Sequence, residues 1–408
     1  MPTKIVILGT GFAGLWSALA AQRLIKNTNQ TKNVKVLVIS PSPTLVLRPR
    51  LYEADAENMT HPLAPLFEAT GIEFCQGTAK KIDPEARIVH TRSADGSDFE
   101  VSYNRLILAA GSSVVQPERI AGLREHAFDV DSLESAAKLD AHLANLQFLP
   151  PSTERNTVIV CGAGFTGIEL AAELPKRLGH ITSPRIILVD KAEELGPELG
   201  SGPRPVITQA LRNLGVETKL GSGIQSIDAD GVTLMSGERI EAKTAIWTAG
   251  VQATPLTHQL PGARDTLSRV LVDQDLRAPS AKDIFVTGDA ACALADTDGH
   301  HALMSCQHAL LLGRVAGHNA AADLLGETPV PYSQAAYICC LDLGGWGAVI
   351  SEGWDRKVRI SGELAKRVKC YINQKLIYPP RDAEEALNAA SPTGMDSEQL
   401  LKHVLQAV

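Results

Sequence analysis

KIVILGTGFAGLWSALAAQRLI (residues 4–25) and NTVIVCGAGFTGIELAAELPKRL (156–178) carry the same signal twice. Each opens with a short apolar run of the buried, parallel-strand type and passes through Gly-x-Gly-x-x-Gly. Apolar residues at helical spacing follow, Leu15, Leu19 and Leu24 in the first copy. A second apolar run comes after each, VKVLVIS (34–40) and RIILVD (185–190), which completes a βαβ unit with a right-handed crossover. One such fingerprint is weak, because glycine is common. Two copies, 153 positions apart and each set between a strand and a helix, predict an α/β fold with two Rossmann-like dinucleotide-binding domains.

The spacing has a physical reason. A glycine-rich turn that opens a helix aims backbone N–H groups and the positive end of the helix dipole at a pyrophosphate. The first glycine permits the tight turn, the second lets the phosphates approach, and the third lets helix and strand pack closely. Gly9, Gly11 and Gly14, with Phe12 and Ala13 between them, and Gly162, Gly164 and Gly167, with Phe165 and Thr166, take these places. YNRLILAAGSS (103–113) and TAIWTAGV (244–251) are apolar strands ending in Ala-Gly, one after each fingerprint. KDIFVTGDAA (282–291) is a further strand, leading to a long helix at about Met304–Leu325. The expected organisation is a first domain over residues 1–118, an inserted second domain over 119–250, a return to the first over 251–328, and a small C-terminal α+β module over 329–408. GETPVPY (326–332) marks that last break, and strands are expected around Ala336–Cys340 and Gly347–Ser351.

Two dinucleotide sites on one chain imply transfer between cofactors, most economically FAD held in the first and NADH visiting the second. Hydride transfer to a flavin needs stacking and orientation more than acid–base chemistry. Asp190 ends the strand after the second fingerprint, where a carboxylate accepts both ribose hydroxyls of NADH and repels the 2′-phosphate of NADPH. The matching position after the first fingerprint is Ser40, a weaker ribose partner. The long helix near Met304 could aim its N-terminus at the flavin and stabilise the negative charge of its reduced form.

Nearly the whole chain resembles the type II NADH:quinone oxidoreductases, flavoproteins with two dinucleotide-binding domains and no redox disulfide. The resemblance rests on GTGFAG (9–14), GAGFTGIELAAEL (162–174), IWTAGV (246–251), VTGDAA (286–291) and INQKLIYPP (372–380). It implies that Gly9, Gly11 and Gly14 hold the FAD pyrophosphate, that Asp289 after Gly288 binds the ribityl chain, and that Arg48 and Pro49 in RPRLYE lie near the isoalloxazine. Ala79, Ala110 and Gly111 are expected to complete that site, and Ala249 and Gly250 the NADH site. Glu169 matches a carboxylate beside the nicotinamide and the acceptor; its other reading is an acid that merely suits the helix dipole. Gln307, Ala309 and Gly313 match an acceptor-site pattern Ala-Gln-x-Ala-x-x-x-Gly. Cys306 and Leu311 depart from it, replacing an alanine and a second glutamine common among quinone reductases, which makes one wall of the pocket less polar.

The composition sets the outer limits. A chain of 408 residues with 44% hydrophobic and 21% charged residues and a net charge of −7 is globular, and no nucleic-acid partner is expected. No apolar run approaches a spanning helix, and residues 1–7 lead straight into a strand without room for a signal peptide, so a cytoplasmic protein is expected. Leu400, Leu401, Val404, Leu405 and Val408 form a helical stripe whose opposite face (Glu398, Gln399, Lys402, His403) is hardly basic. Packing on the body or in a homodimer therefore suits it better than a membrane surface, and membrane contact is at most peripheral. Arg356, Lys357, Arg359, Lys366, Arg367 and Lys369 form a basic run suited to anionic lipid or an acidic partner, if not simply solvated surface.

Seven cysteines include no CxxC or CxxxxC beside a fingerprint, so a thiol relay of the disulfide-reductase kind is not expected. Cys161 reads as inert; Cys161, Cys306 and Cys339 or Cys340 could instead imitate the separated cysteines of sulfide:quinone reductases. His300, His301 and His308 lack carboxylate or cysteine spacing typical of a metal site, and no metal is expected. The expected activity is NADH oxidation by FAD with ping-pong transfer to a small-molecule acceptor, a quinone or a quinone-like compound. Oxygen, a specialised organic acceptor, a ferredoxin-type protein docked on the basic run, or a non-catalytic nucleotide sensor are the alternatives.

Overall fold

Strand Thr3–Leu8 is paired on both sides in the computed structural model, in parallel along its whole length with Val34–Ser40 (Val6 opposite Leu37) and over Ile5–Leu8 with Arg105–Leu108 (Val6 opposite Leu106). The structure describes residues 2–393 and 397–408; Met1 lies outside it, and so do the side chains of Ser397 and Glu398, the latter part of the tail face read from sequence. The sheet runs in the order Arg277–Ala278, Ala281–Val286, Arg105–Leu108, Thr3–Leu8, Val34–Ser40, Glu73–Gln76, parallel except at its Arg277–Ala278 edge. A second, all-parallel sheet has the order Val216–Lys219, Arg185–Val189, Thr157–Cys161, Thr244–Trp247.

Both central strands are buried on both faces, which explains their unbroken apolar sequence. Ile5 and Ile7 face a core shared with the helices, while Val6 and Leu8 face a second core. That second core is roofed by an antiparallel meander, Thr78–Asp83, Ile88–Arg92 and Asp98–Ser102. The inserted sheet repeats the plan, with its own meander Ile224–Asp228, Gly231–Leu234 and Arg239–Glu241. A short antiparallel pair, Ser112–Val114 with Val251–Ala253, joins the chain's exit from the first sheet to its return. The meanders were not read from the sequence: their strands are half-exposed and mixed in polarity.

Two helices fix the first fingerprint. Helix Phe12–Asn27 crosses helix Cys306–Leu325 at very close range, with Gly313 and Gly317 at the contact. A Cβ at Gly313 would lie 2.5 Å from Ala13 O, and one at Gly317 would collide with Ser17 O. Ser17 Oγ donates to Gly313 O at 3.0 Å across the crossing. The long helix starts two residues later than the sequence suggests, because Ser305 is its N-cap and accepts from the His308 N–H.

The tail holds the antiparallel sheet Ile338–Asp342, Ala348–Glu352, Lys357–Gly362, followed by helix Glu363–Tyr371. Its first two strands lie one or two residues beyond the expected spans, and its third strand and helix were not anticipated. In helix Ser397–Ala407, Leu401 and Val404 are buried against Ala348, Ile350, Ala365 and Val368, so the apolar stripe packs on the tail itself. Among the described residues, no helix is long and apolar enough to cross a membrane.

The crossing yields a test. Overpacking a tight helix contact costs about 1–3 kcal/mol. Gly317→Ala should lower the thermal unfolding midpoint measurably, and an unchanged midpoint would show that the helices can separate without penalty.

Candidate active site

The two glycine-rich turns are built alike. At Gly9 (φ +112°) a Cβ would lie 2.6 Å from Ala109 O, and at Gly162 (φ +122°) one would lie 2.8 Å from Ala249 N. Gly14 and Gly167 leave no room for a side chain over Gly9 O and Gly162 O, where helix and strand meet. These are the turn and packing roles that a pyrophosphate cradle requires of its first and third glycines. The second glycines differ. Nothing lies within 4 Å of the Cβ position at Gly11, whereas Glu198 Oε1 lies 2.7 Å from that at Gly164. The residues present therefore fit a dinucleotide at either turn, with an open approach at the first.

Around the first turn, Gly288 packs on Ala13, with 2.7 Å between the Ala13 Cβ and a Cβ built at Gly288. This seats Asp289 beside the fingerprint. Its Oδ2 accepts from Ser112 Oγ at 2.6 Å and pairs with Arg48 Nη1 at 3.4 Å. Arg48 also pairs with Asp131, so Pro49 is held in a short helical turn, Arg48–Arg50. Ala110 and Gly111 form an exposed-to-half-buried turn at the sheet's C-terminal edge, and Ala249 and Gly250 an exposed one at the other sheet. Ala79 sits in the meander strand Thr78–Asp83, just beyond Gly77, whose N–H donates to Ser40 O. The Ser40 hydroxyl is buried and lies 2.9 Å from Thr10 Oγ1, an intramolecular partner that sequence could not supply.

At the second turn, Asp190 Oδ2 accepts from the Ala163 N–H (2.6 Å) and Oδ1 from the Ala192 N–H (2.8 Å). Each oxygen has a lone pair left for a ribose hydroxyl. Phe12 is buried, Phe165 half-buried and Thr166 exposed on the two helix starts.

Glu169 is not a surface acid that merely suits the helix dipole. It is 3% exposed, five residues into helix Phe165–Arg177. Lys369 Nζ lies 2.8 Å from its Oε1, and the Asp342 N–H donates to the same oxygen at 2.9 Å. Lys369 also donates to Cys340 O at 3.1 Å, and its ammonium stands 5.8 Å from both the Tyr52 and Phe165 rings. Tyr52 OH donates to Asp342 Oδ2 at 2.9 Å, and Lys366 Nζ to Asp342 Oδ1 at 2.5 Å. Burial pushes Glu169 up to about 7, aided by the Asp342 charge and opposed by Lys369. Burial is the largest single influence on the Lys369 ammonium and works against it, yet the charges of Glu169, Cys340 and Asp342 and the hydrogen bond to Glu169 together outweigh it and raise its pKa. Lysine thus keeps its proton, and the carboxyl is the member that titrates near neutrality.

The N-terminus of helix Cys306–Leu325 lies within reach of these charges. Burial raises the Cys306 thiol, which feels Lys369 in one sense and Asp289 and Glu169 in the other. Gln307, half-buried, is the next residue, and Leu311 one turn on packs partly against the core. Ala309 and Gly313 are not pocket walls: they lie at the contact with the first fingerprint helix and with Gly288.

The structure bears on three further expectations. The basic run is divided by the fold rather than forming one continuous exposed patch. Lys369 and Arg356 are buried, Arg356 over the Tyr337 ring; Lys366 is tied to Asp342 and Arg359 to Glu352, while Lys357, Arg359 and Arg367 stay exposed. The signal for Lys369 was present: Ala365, Val368, Lys369 and Ile372 follow helical spacing, with a lysine in an apolar place. Next, the thiols of the alternative relay reading are held toward their protonated form by burial. All seven cysteines are free, and Cys161 faces the core on the meander side of its sheet. Burial pushes Cys161 and Cys340 up to about 12 and Cys339 to about 11, far from the thiolate a relay needs. Finally, His300 does have carboxylate neighbours: its Nδ1 is 2.7 Å from Asp296 Oδ2, and Asp298 is close by. Asp296 is already occupied by that ring and by the N–H groups of Asp298 and His300.

Residues 3–313 match the pyridine nucleotide-disulphide oxidoreductase family. The chain belongs to that family. An NADH dehydrogenase-like protein of Mycobacterium tuberculosis is 43% identical over 399 residues, covering 96% of this chain and 98% of that one. A type II NADH:quinone oxidoreductase of Staphylococcus epidermidis is 27% identical, covering 92% and 95%. The solved structure of NDH2 from Plasmodium falciparum in complex with NADH has the same fold, with a TM-score of 0.76 at 14% identity over 95% of this chain and 97% of that one. The protein is thus an NADH dehydrogenase-like flavoprotein oxidoreductase, and FAD and NADH are its expected cofactors.

Removing one partner of a buried ion pair costs about 3–5 kcal/mol when the other stays charged. Without Lys369, the folded-state pKa of Glu169 rises further above its unfolded value, so the penalty is present at high pH and vanishes below the unfolded pKa. Lys369→Met should therefore destabilise the protein strongly at pH 8 and much less at pH 5 in denaturant titrations. A loss that does not depend on pH would separate the stability effect from Glu169.

Proposed function

We propose that the protein oxidises NADH and passes the electrons to a quinone or quinone-like small molecule by a ping-pong route. The Gly9–Gly14 turn, Asp289, Arg48 and the loop carrying Pro49 would hold FAD, and the Gly162–Gly167 turn and Asp190 would hold NADH. The inserted domain would span residues 119–250, and the module from 329 would complete the acceptor site through Asp342 and Lys369. Bound FAD supplies the hydride acceptor and the store of two electrons.

The observation that carries this reading is the buried Glu169–Lys369 pair where the second fingerprint helix, the Arg48–Glu53 loop and the tail meet. Reducing a quinone to a quinol takes two electrons and two protons, and NADH delivers only one proton's worth with its hydride. A carboxyl that titrates at about 7 is suited to donate the other and to be reloaded from solvent. Gln307 would orient the acceptor's carbonyl from the start of the long helix. Leu311, apolar where a second polar wall would help, favours a second reading in which the acceptor is not a respiratory quinone.

Anaerobic mixing with NADH should bleach the flavin absorbance near 450 nm, and a short-chain quinone should restore it. Bleaching without recovery would turn the search to other acceptors; no bleaching would remove the dehydrogenase assignment. The rate of recovery should fall as pH rises through about 7, because the donor loses its proton. Glu169→Gln should slow recovery by about 10²-fold and abolish that inflection. An inflection that survives the substitution would place the proton donor elsewhere.

A further inference from the structure

Glu198 lies in the short turn Pro197–Leu199, and its Oε1 accepts from the Phe165 N–H at 2.9 Å. Phe165 is the first residue of the 13-residue helix that follows the second fingerprint. Its amide is one of the orphan donors that a bound pyrophosphate would use. The same carboxylate oxygen stands 2.7 Å from the Cβ position of Gly164, the glycine whose bareness lets phosphates approach. The corresponding space at Gly11 is open. The first and third glycines are alike in the two turns, so at the second glycine this side chain is what distinguishes them.

The turn is made to hold the carboxylate there. Gly196 donates its N–H to Ala163 O at 3.0 Å, which ties the turn's base to the fingerprint loop. Gly196 (φ +52°) and Gly200 (φ +76°) bound the turn, and Leu199 is buried as its peg. Rotation of the Glu198 side chain alone would free the Phe165 amide, with the backbone left in place.

We propose that Glu198 is a built-in competitor for the pyrophosphate of the dinucleotide that visits the second fingerprint. This rests on the reading that the Gly162–Gly167 turn binds NADH. With the site free, the carboxylate satisfies the helix N-terminus. An arriving pyrophosphate must displace it, since two anions cannot share the amide, and the returning carboxylate speeds release of the spent nucleotide. The first turn has no such competitor, as befits a cofactor that stays bound.

The test uses ADP-ribose, which carries the pyrophosphate but no redox chemistry, and adenosine, which has no phosphate. Calorimetric titration of the holoenzyme should show ADP-ribose binding about three- to tenfold tighter in Glu198→Ala than in wild type, the size expected for one anion at a helix N-terminus. Glu198→Gln, which keeps an acceptor but loses the charge, should fall between them. Adenosine affinity should not change. Equal or weaker ADP-ribose binding in Glu198→Ala overturns the proposal, and so does an equal gain for adenosine. If neither wild type nor variants bind ADP-ribose, the second fingerprint is not the NADH site and the competitor falls with that reading.

Discussion

A carboxylate and an ammonium that are both removed from water, Glu169 and Lys369, set a constraint that the rest of the molecule has to meet. Taking either charge out of water alone would cost several kcal/mol, so neither side chain is tolerable in its place without the other. One comes from the second fingerprint helix and the other from the tail helix, 200 positions later in the chain. Their remaining hydrogen bonds come from the tail strand, through the Asp342 N–H and Cys340 O. Tyr52 closes the set from the loop beside the first fingerprint. The tail therefore cannot dock loosely on the nucleotide domains: only the seated arrangement satisfies every member. A hydrophobic contact of the same area would hold the parts together without fixing their register. The polar set is what makes that arrangement specific, and it does so at the place where chemistry is expected.

Duplication of a fingerprint does not produce two equivalent sites. The first and third glycines do the same job in both copies, because the turn and the helix–strand contact are properties of the βαβ unit itself. The ligand meets the second glycine and whatever stands over it. Asp190 and Ser40 diverge at the strand ends, and Glu198 has no counterpart over Gly11. A tightly held group and a passing one need opposite things from a helix N-terminus: the first needs an open cradle, and the second needs something that takes its place when it leaves.

The fold was legible in the sequence because its two central sheets are buried on both faces. Such strands must be apolar throughout, and the first and third glycines that follow them have no freedom of identity. The meanders and the third tail strand were not legible, since half-exposed strands alternate weakly and read as loops. Within the site, Glu169 stood out by its motif, but its burial and its partner did not. Lys369 was hidden inside a run of six basic residues that sequence treats as one feature. The fold divides that run, turning Lys369 and Arg356 inward and leaving Lys357 and Arg367 in water. Only the helical stripe of Ala365, Val368 and Ile372 around Lys369 distinguished it, and charge had masked the stripe. Asp342 left no trace at all, because nothing local marks an aspartate whose partners are Tyr52 and Lys366.

The acceptor pattern shows how packing and chemistry are interleaved in one stretch of helix. Of Gln307, Ala309 and Gly313, two serve packing: Gly313 accommodates the Ala13 backbone at the crossing with the first fingerprint helix, and Ala309 lies against Gly288. Small residues are needed there whatever the acceptor is, because a larger one would push the long helix off the first glycine-rich turn. Their presence therefore reflects the packing of the first domain and says nothing about an electron acceptor. Under the proposed reading that information lies with Gln307, which has no part in the crossing, and with the partly packed Leu311, with Glu169 and Lys369 behind them. One polar wall, one apolar wall and a buried proton donor suit an acceptor that is flat, largely apolar and reduced by electrons and protons together. Under the proposed reading a quinone has those properties, while the apolar Leu311 is also the feature that favours an acceptor other than a respiratory quinone.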